Sequence, residues 1–451
     1  MPGLNNPVVE GAVEGVELEA WAKQVADPIY SARTLYQRLK SGAKTYPAAN
    51  ITQRPSTTAG TMASRPAFNI PMRIQSGAAI VQGTGNGDSM GRGSGSFWIS
   101  GDISPVFLFS GTEITYLASM ATNGKNRALF SVRAQELKNS LDVFYRGIEA
   151  LFQGDSSGYL DQIPTSATVS SNSGSGAQTS FISGMNNANQ FQDQQIIQVF
   201  PSEGGSTRGT ATISFVDGVS NTLYFSTVLP STGGATQTGD YLMVQGCSGA
   251  VGGSIAGIKT YNVNGNSGNV LGIARTNYPS RLSTPTINLS GNALNPAVPY
   301  RIEIQIQRAL GPEAKELESM FYYLGPDQQL AWNNLTQNVK IVNAQEVKGD
   351  RELDLVKKYM PDTIAGREMV VGYNQTPGRI DILSPSTWGI VELKEPSIYD
   401  FGNGNTVMPV VDINTGGYLT SFIFYYNCCI NLFNSNMRAA GYITNAAVPT
   451  I

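Results

Sequence analysis

A boundary near residue 124 separates two opposite kinds of sequence, and this contrast limits what the chain can fold into. Before it, apolar residues alternate with other residues, as on one face of an extended strand. The alternating residues are Phe68, Ile70, Met72 and Ile74. Seven glycines then lie between residues 77 and 95. After the boundary, apolar residues recur every three or four positions, as on one face of a helix. They are Leu137, Leu141, Phe144, Ile148 and Leu151. An open arm beside a rigid helix cannot bury itself, so the sequence predicts a protein completed by its neighbours.

The composition is thinly charged. Of 451 residues, 41% are hydrophobic and 14% are charged, whereas about a quarter are charged in a typical soluble domain. Such a surface suits a subunit covered by copies of itself, although a secreted β-rich protein has a similar composition. The net charge of −3 gives no electrostatic footprint for a nucleic-acid backbone. No apolar run has membrane-spanning length, and the first residues lack the form of a signal peptide. We therefore expect a soluble protein made in a cytoplasm.

Histidine is absent from the sequence, and this absence restricts the available chemistry. Ser–His and Cys–His nucleophile pairs, a histidine base and histidine metal sites are all excluded. A pair of placed carboxylates remains formally able to catalyse hydrolysis, but no local pattern marks one. Of three cysteines, Cys428 and Cys429 are adjacent in an apolar strand, so they point to opposite faces and are interpreted as buried thiols. We predict no enzyme activity, no cofactor and no metal.

Periodicity along the rest of the chain predicts an α+β protein. Helices are predicted at 16–39, 126–153, 301–323 and 327–336, with a short helical run at 113–120. Strands are predicted at 106–109, 196–200, 210–216, 222–228, 241–244, 380–383, 389–393, 408–413 and 418–433. The turn-rich spacing of strands between 165 and 260 favours a small antiparallel barrel or sandwich. This segment is either an inserted domain or a packed part of the region that follows it.

The order of these elements, together with several short segments, resembles the major capsid protein of tailed bacteriophages, which has the Hong Kong 97 fold. The segments are 68–73, 91–95, 104–106, 133–152, 272–279 and 431–443. None is specific alone, but their order is. The resemblance implies a Hong Kong 97-type fold with an N-terminal arm (1–60), an extended loop with flanking strands (61–124), a spine helix with part of the peripheral domain (125–164), a small inserted β-barrel-like domain (165–260), an axial domain (261–375), and peripheral and axial strands with the C-terminus (376–451).

The resemblance implies a structural protein that self-assembles into the pentamers and hexamers of an icosahedral head around the phage DNA. Its implied partners are other copies of the chain, portal, scaffolding and decoration or cement proteins, and double-stranded DNA enclosed without sequence-specific binding. It would be part of the virion, assembled in the bacterial host cytoplasm without a membrane. No lysine lies between Lys44 and Lys125, so the loop lacks the amine of the covalent cross-link found in some family members. We therefore expect noncovalent contacts, an uncleaved arm and, where scaffolding is needed, a separate scaffold protein.

Large apolar residues beside the glycines are the predicted contacts between subunits. With nearby arginines, the candidates are Phe68, Ile70, Met72, Arg73, Arg92, Phe97, Trp98 and Ile99. The stripe on the spine helix, defined by Leu137, Leu141, Phe144, Ile148 and Leu151, is predicted to pack onto the peripheral sheet. Two other interpretations stay open. One is an encapsulin-type shell that encloses enzymes, and the other is a β-rich tail, fibre or adhesin protein, the last with carboxylate-pair hydrolase activity.

Overall fold

A computed structural model describes the chain over several ranges, and the elements below lie within them. The ranges are 34–42, 51–54, 65–75, 95–115, 132–171, 180–247, 253–265, 267–311, 319–344, 363–401, 406–411 and 418–448. The helices are α1 (Thr34–Gly42), α2 (Val132–Phe152), α3 (Ile258–Tyr261), α4 (Pro279–Leu282), α5 (Ala297–Leu310) and α6 (Pro326–Ala344). The first strands are β1 (Ile51–Arg54), β2 (Arg65–Gln75), β3 (Phe97–Ile103), β4 (Val106–Thr115), β5 (Tyr159–Gln162), β6 (Thr168–Ser170), β7 (Ser180–Ser183), β8 (Ile196–Phe200), β9 (Gly209–Asp217), β10 (Thr222–Phe225) and β11 (Tyr241–Val244). The remaining strands are β12 (Asn269–Val270), β13 (Ile273–Ala274), β14 (Thr286–Asn288), β15 (Phe321–Leu324), β16 (Thr363–Ile364), β17 (Arg367–Val371), β18 (Ile380–Leu383), β19 (Trp388–Ile398), β20 (Met408–Val411), β21 (Tyr418–Asn434) and β22 (Gly441–Thr444).

The strands form five sheets within the described ranges. A three-stranded sheet has the order β1-β2-β3, a seven-stranded sheet the order β5-β11-β8-β9-β10-β7-β6, and β12 pairs β13. A six-stranded sheet has the order β14-β22-β18-β15-β17-β16, and a further sheet has the order β19-β21-β20 with β4 paired to β21. Each of the seven strands in the second sheet runs antiparallel to its neighbours. This sheet is an open path that ends at β5 and β6, so the described strands do not close into a barrel.

The described residues divide into two compact units. The first contains 106–149 and 393–430, and the second contains 34–105, 150–392 and 431–451. The three-, six- and seven-stranded sheets all belong to the second unit. In its core, α5 lays a stripe of buried residues at spacings of four, as an amphipathic helix does, against β15, β18 and β22. The stripe consists of Val298, Ile302, Ile306 and Leu310.

Periodicity locates most elements but misplaces some of them. The strands at 196–200, 209–217, 222–225, 241–244, 380–383 and 418–434 confirm the predictions there. Two helix predictions are wrong in part. The run predicted at 113–120 begins within β4, which continues to Thr115, and its other residues lie outside the described ones. The helix predicted at 301–323 is confirmed over 301–310, but residues 321–324 form β15. β15 is central in its sheet and fully buried, so every residue in it is apolar or aromatic and no alternation marks it as a strand. Most of the predicted helix at 16–39 lies outside the described residues.

Candidate assembly surfaces

The strands flanking the glycine-rich segment, β2 and β3, pair as an antiparallel hairpin base. The register joins Phe68 to Ile103, Ile70 to Gly101 and Arg73 to Trp98. The hairpin is held to the rest of its unit at Gly101 and Asp102. The Asp102 amide donates to the Leu271 carbonyl over 2.9 Å. A Cβ on Gly101 would lie 2.7 Å from the Leu271 Cβ, so only glycine permits this approach.

One face of the hairpin base is buried inside the chain. The side chains of Phe68, Ile70 and Met72 are almost completely inaccessible, as expected for the apolar side of a half-buried strand. The sequence predicts these three residues as contacts between subunits, but in this conformation they pack within their own chain. The reason is tertiary: Leu271 approaches this face at Gly101 and Met72, a contact that the sequence pattern does not reveal.

The other predicted contact residues lie mostly at the surface. Phe97 is 46% exposed and Trp98 is 57% exposed, Arg73 is exposed, and Ile99 is partly buried. The Phe97 ring lies 6.3 Å from that of Tyr278, whereas Trp98 leaves an indole at the surface. Arg92 lies outside the described residues. The candidate contact surface of the hairpin is therefore Phe97 and Trp98, with Arg73 opposite Trp98 on the paired strand.

Phe68→Ala separates a core role from a role between subunits. We expect this variant to lower the free energy of unfolding of the unassembled subunit by about 3 to 5 kcal/mol, since it removes a buried aromatic ring and leaves a cavity. The measurement is chemical denaturation at a concentration where wild-type protein is unassembled. An unassembled subunit with unchanged stability would contradict the intrachain packing of Phe68.

Helix α2 lies on the sheet formed by β4 and β21. The Phe144 ring stacks on Tyr426 with centroids 6.3 Å apart, and the Tyr426 hydroxyl donates to the Leu137 carbonyl over 2.9 Å. The Ser140 hydroxyl donates to the Glu136 carbonyl, so the Thr112 hydroxyl on β4, 2.7 Å away, is the donor to Ser140. Of the predicted stripe, the later residues are buried and the earlier ones partly buried. Phe144, Ile148 and Leu151 are buried, and Leu137 and Leu141 are partly buried.

The opposite face of this sheet carries an exposed aromatic cluster that the sequence prediction misses. Phe107 and Phe109 are each more than half exposed, and their rings stack at 6.3 Å. Ring contacts continue from Phe109 to Tyr399, from Tyr399 to Phe401 and from Phe401 to Tyr425. Tyr425 lies across Gly111 on the paired strand. The available signal is the two-residue spacing of the phenylalanines, which places both on one face of β4.

A connected set of buried polar groups links the seven-stranded sheet to the six-stranded sheet. The Asn187 amide donates to the Asp161 carboxylate over 3.2 Å, and its side-chain nitrogen donates to the Gln375 carbonyl over 3.0 Å. The Gln375 side chain donates to the Asp381 carboxylate over 2.7 Å. The Arg379 guanidinium donates to both oxygens of that carboxylate, each over 2.8 Å. Complete pairing of this kind is what makes buried polar groups tolerable. The contact between the two sheets is thus specified by hydrogen bonds.

The two carboxylates of this network respond to burial in different ways. Burial raises the pKa of Asp161 above its ordinary value, against the lowering effect of hydrogen bonds from Asn186, Asn187 and Gln162 and the charge of Lys259. Burial acts in the same sense on Asp381, but the charge and hydrogen bonds of Arg379 outweigh it and hold the pKa of Asp381 below its ordinary value. Pairing with a guanidinium therefore decides which carboxylate is the better acid.

Lys259 on α3 should make stability depend on pH. Burial, reinforced by repulsion from Arg379, lowers its pKa to about 8, although three aspartates attract it. The unfolded chain binds more protons between pH 8 and the ordinary lysine pKa near 10.5, so stability rises with pH across this interval. We expect wild type to gain about 1 to 3 kcal/mol of unfolding free energy relative to Lys259→Met between these limits. Denaturation of both proteins at several pH values measures this, and a constant difference would contradict it.

Metal-binding clusters and membrane-spanning helices are both absent from the described residues. No three Cys, Asp or Glu side chains in the described ranges lie close enough together to hold a metal ion. Among the helices of those ranges, none combines the length and the apolar character needed to cross a bilayer.

Comparison with known proteins identifies the fold. No protein family model matches the chain, and no curated protein sequence matches it. Among solved structures, the cyanophage A-1(L) capsid aligns with a TM-score of 0.51 at 10% identity, over 94% of this chain and 95% of that chain. The capsid of a native GTA particle aligns with a TM-score of 0.44 at 10% identity, over 94% of each chain. The SrpI encapsulin of Synechococcus elongatus aligns with a TM-score of 0.42 at 8% identity, over 95% of this chain and 93% of that chain.

Of these three alignments, only the first exceeds a TM-score of 0.5, and at 10% identity it is informative about the fold alone. It spans nearly the whole of both chains, so the likeness is not confined to one segment. The chain has the capsid fold of tailed-phage major capsid proteins, which the order of its sequence elements predicts.

Proposed function

We propose that this chain is a structural shell subunit that self-assembles into the pentamers and hexamers of an icosahedral phage head. The observation that carries the proposal is the alignment over 94% of the chain with a cyanophage capsid protein. Because fold alone does not fix function, the surfaces of the chain supply the second argument. They combine a thinly charged composition with large exposed aromatic side chains, which usually mark an interface.

Two apolar surfaces support assembly through noncovalent contacts. One is the hairpin surface of Phe97 and Trp98, and the other is the aromatic cluster around Phe107 and Phe109. Aromatic side chains supply large contact areas and are enriched where binding energy concentrates. In a symmetric shell each such contact recurs on every subunit, so modest contacts add up through effective concentration. Arg73, exposed opposite Trp98, is suited to the polar rim of such a contact.

The cargo of the proposed shell is double-stranded DNA that is confined without sequence-specific binding. The net charge of −3 gives the subunit little attraction for a phosphate backbone. Portal, scaffolding and decoration or cement proteins are the further partners we propose, with the virion as the final location and the bacterial host cytoplasm as the site of assembly.

A DNA-binding measurement on the free subunit tests confinement of the DNA. Weak binding of duplex DNA at moderate salt is the expected result, and tight, salt-sensitive binding would contradict confinement.

Electron microscopy of the purified full chain tests the shell proposal. Closed icosahedral particles, formed alone or with a scaffold protein from the same virus, are the expected result. Helical tubes or fibres would favour a tail or fibre protein, and subunits that stay monomeric under both conditions would overturn self-assembly.

The content of particles purified from the native source then separates a phage head from an encapsulin-type shell. Nuclease-protected DNA is expected for a head, whereas packaged enzyme without DNA would assign the encapsulin role. Either outcome is compatible with the observed fold, because it concerns only what the shell encloses.

A further inference from the structure

Asn264 and Gly265 form an asparagine–glycine pair in the loop between α3 and β12. It is the one such pair in the described part of the chain, since the pairs at 86–87, 123–124 and 403–404 lie outside it. Asn264 is exposed. Glycine after asparagine leaves the main-chain nitrogen unshielded, because no Cβ hinders its approach to the asparagine side chain. We propose that Asn264 is a self-modification site, at which the side-chain amide is converted to a carboxylate through a succinimide.

The main chain of Val263 and Asn264 is hydrogen-bonded to two other segments of the chain. The Asn264 amide donates to the Tyr442 hydroxyl over 2.9 Å. The preceding residue, Val263, donates to the Tyr261 carbonyl over 2.9 Å and accepts from the Thr284 amide over 3.1 Å. These bonds tie the loop to β22 and to the segment that follows α4. The side chain of Asn264 is therefore presented from a fixed base, which reduces the entropy lost on reaching a reactive geometry.

Ser283 supplies the electrophilic assistance. Its hydroxyl donates to the Asn264 side-chain oxygen over 3.0 Å. A donor at this oxygen polarises the carbonyl and stabilises the negative charge that develops on it during attack, as oxyanion donors do in acyl transfer. Ser283 immediately precedes Thr284, whose side chain also donates to the Tyr261 carbonyl over 3.1 Å. The donor and its target thus lie on two segments that are already hydrogen-bonded to each other.

The reaction needs only water. The main-chain nitrogen of Gly265 attacks Cγ of Asn264, and a nitrogen–carbon bond forms as the bond from Cγ to the side-chain nitrogen breaks. Ammonia leaves with the proton lost by the Gly265 amide. Water then opens the succinimide at either carbonyl, giving aspartate or isoaspartate, with no change in oxidation state. The product carries a new negative charge beside Tyr442, and in the isoaspartyl form the main chain gains one methylene.

Two variants test the chemistry without disturbing the fold. A Cβ on Gly265 would meet no atom within 4 Å, so Gly265→Ala is sterically accommodated while shielding the nucleophile. Ser283→Ala removes the donor and leaves the main chain in place. Folded full-length wild type and both variants are incubated at neutral pH. Peptide mapping by mass spectrometry then follows the change from an amide to a carboxyl group at residue 264.

We expect conversion at Asn264 in wild type, about tenfold slower conversion in Gly265→Ala, and about threefold slower conversion in Ser283→Ala. The matched control is the same comparison in denaturant, where Ser283→Ala should have no effect because the hydrogen bond is absent. Retention of the amide in folded wild type would overturn the proposal. Equal rates for folded wild type and folded Ser283→Ala would overturn the role of the hydroxyl. The result is independent of shell assembly, since the unassembled subunit contains every group involved.

Discussion

Replacing Asp240 by Ala is expected to lower the stability of the seven-stranded sheet by about 3 to 5 kcal/mol, because it leaves a buried arginine without its partner. The side chains of Arg208 and Asp240 are only 6% and 2% exposed. Their two hydrogen bonds measure 2.8 Å and 3.1 Å, a bidentate geometry that is among the strongest for charged pairs. Arg208 also donates to the Gly233 and Gly234 carbonyls. The pair therefore holds the 230–240 loop against β9 and β11.

Hydrogen exchange is the suitable measurement, because a chain with two compact units need not unfold in a single step. Amides of β8, β9 and β11 should lose protection in Asp240→Ala, while those of β4 and β21 in the other unit should change little. The matched control is Glu368→Ala at the Arg38–Glu368 ion pair, whose side chains are 44% and 50% exposed. Exposed pairs contribute about 0 to 1 kcal/mol, so this variant should stay close to wild type. Equally small effects for both variants would contradict the prediction, because they would mean that the buried Arg208 charge is stabilised without Asp240.

Local periodicity accounts for the elements that the sequence predicts correctly. The stripe on α2 and the long final strand β21 are each predicted by apolar residues a few positions apart. Such spacings can be recognised without knowledge of tertiary contacts. The failures concern long-range contacts. β15 is apolar throughout because it lies in the middle of a sheet, and this hides the strand period. The face that carries Phe68 and Met72 is approached at Gly101 and Met72 by Leu271, about two hundred residues further along the chain.

The candidate surfaces follow the same division. Phe97 and Trp98 are identifiable from sequence because they are large apolar residues beside a glycine-rich segment. The aromatic cluster on β4 is not identifiable in full, since it joins residues near 108 to residues near 400 and 425. Arg208 and Asp240 directly precede β9 and β11, and these strands come close only because both pair with β8. Contacts set by sheet register need the folded chain.

The double variant Phe97→Ser/Trp98→Ser is expected to abolish closed shells under conditions where wild type assembles. Truncating an aromatic anchor at an interface costs about 2 kcal/mol or more of binding free energy. The two substitutions together should therefore raise the concentration needed for assembly by about three orders of magnitude. The subunit itself should remain folded, because exposed side chains contribute little to intrachain stability. Electron microscopy and light scattering across a concentration series measure assembly, and thermal denaturation of unassembled protein measures folding.

Phe215→Ser is the matched control, since Phe215 on β9 is 48% exposed and thus as accessible as Phe97. If loss of any exposed aromatic ring disturbed assembly by lowering solubility or folding yield, both variants would fail alike. If the hairpin surface is a contact between subunits, only the double variant fails. Normal shells of unchanged thermal stability from the double variant would remove Phe97 and Trp98 from the interface. The aromatic cluster of Phe107 and Phe109, each more than half exposed, would then be the next candidate for a noncovalent contact between subunits.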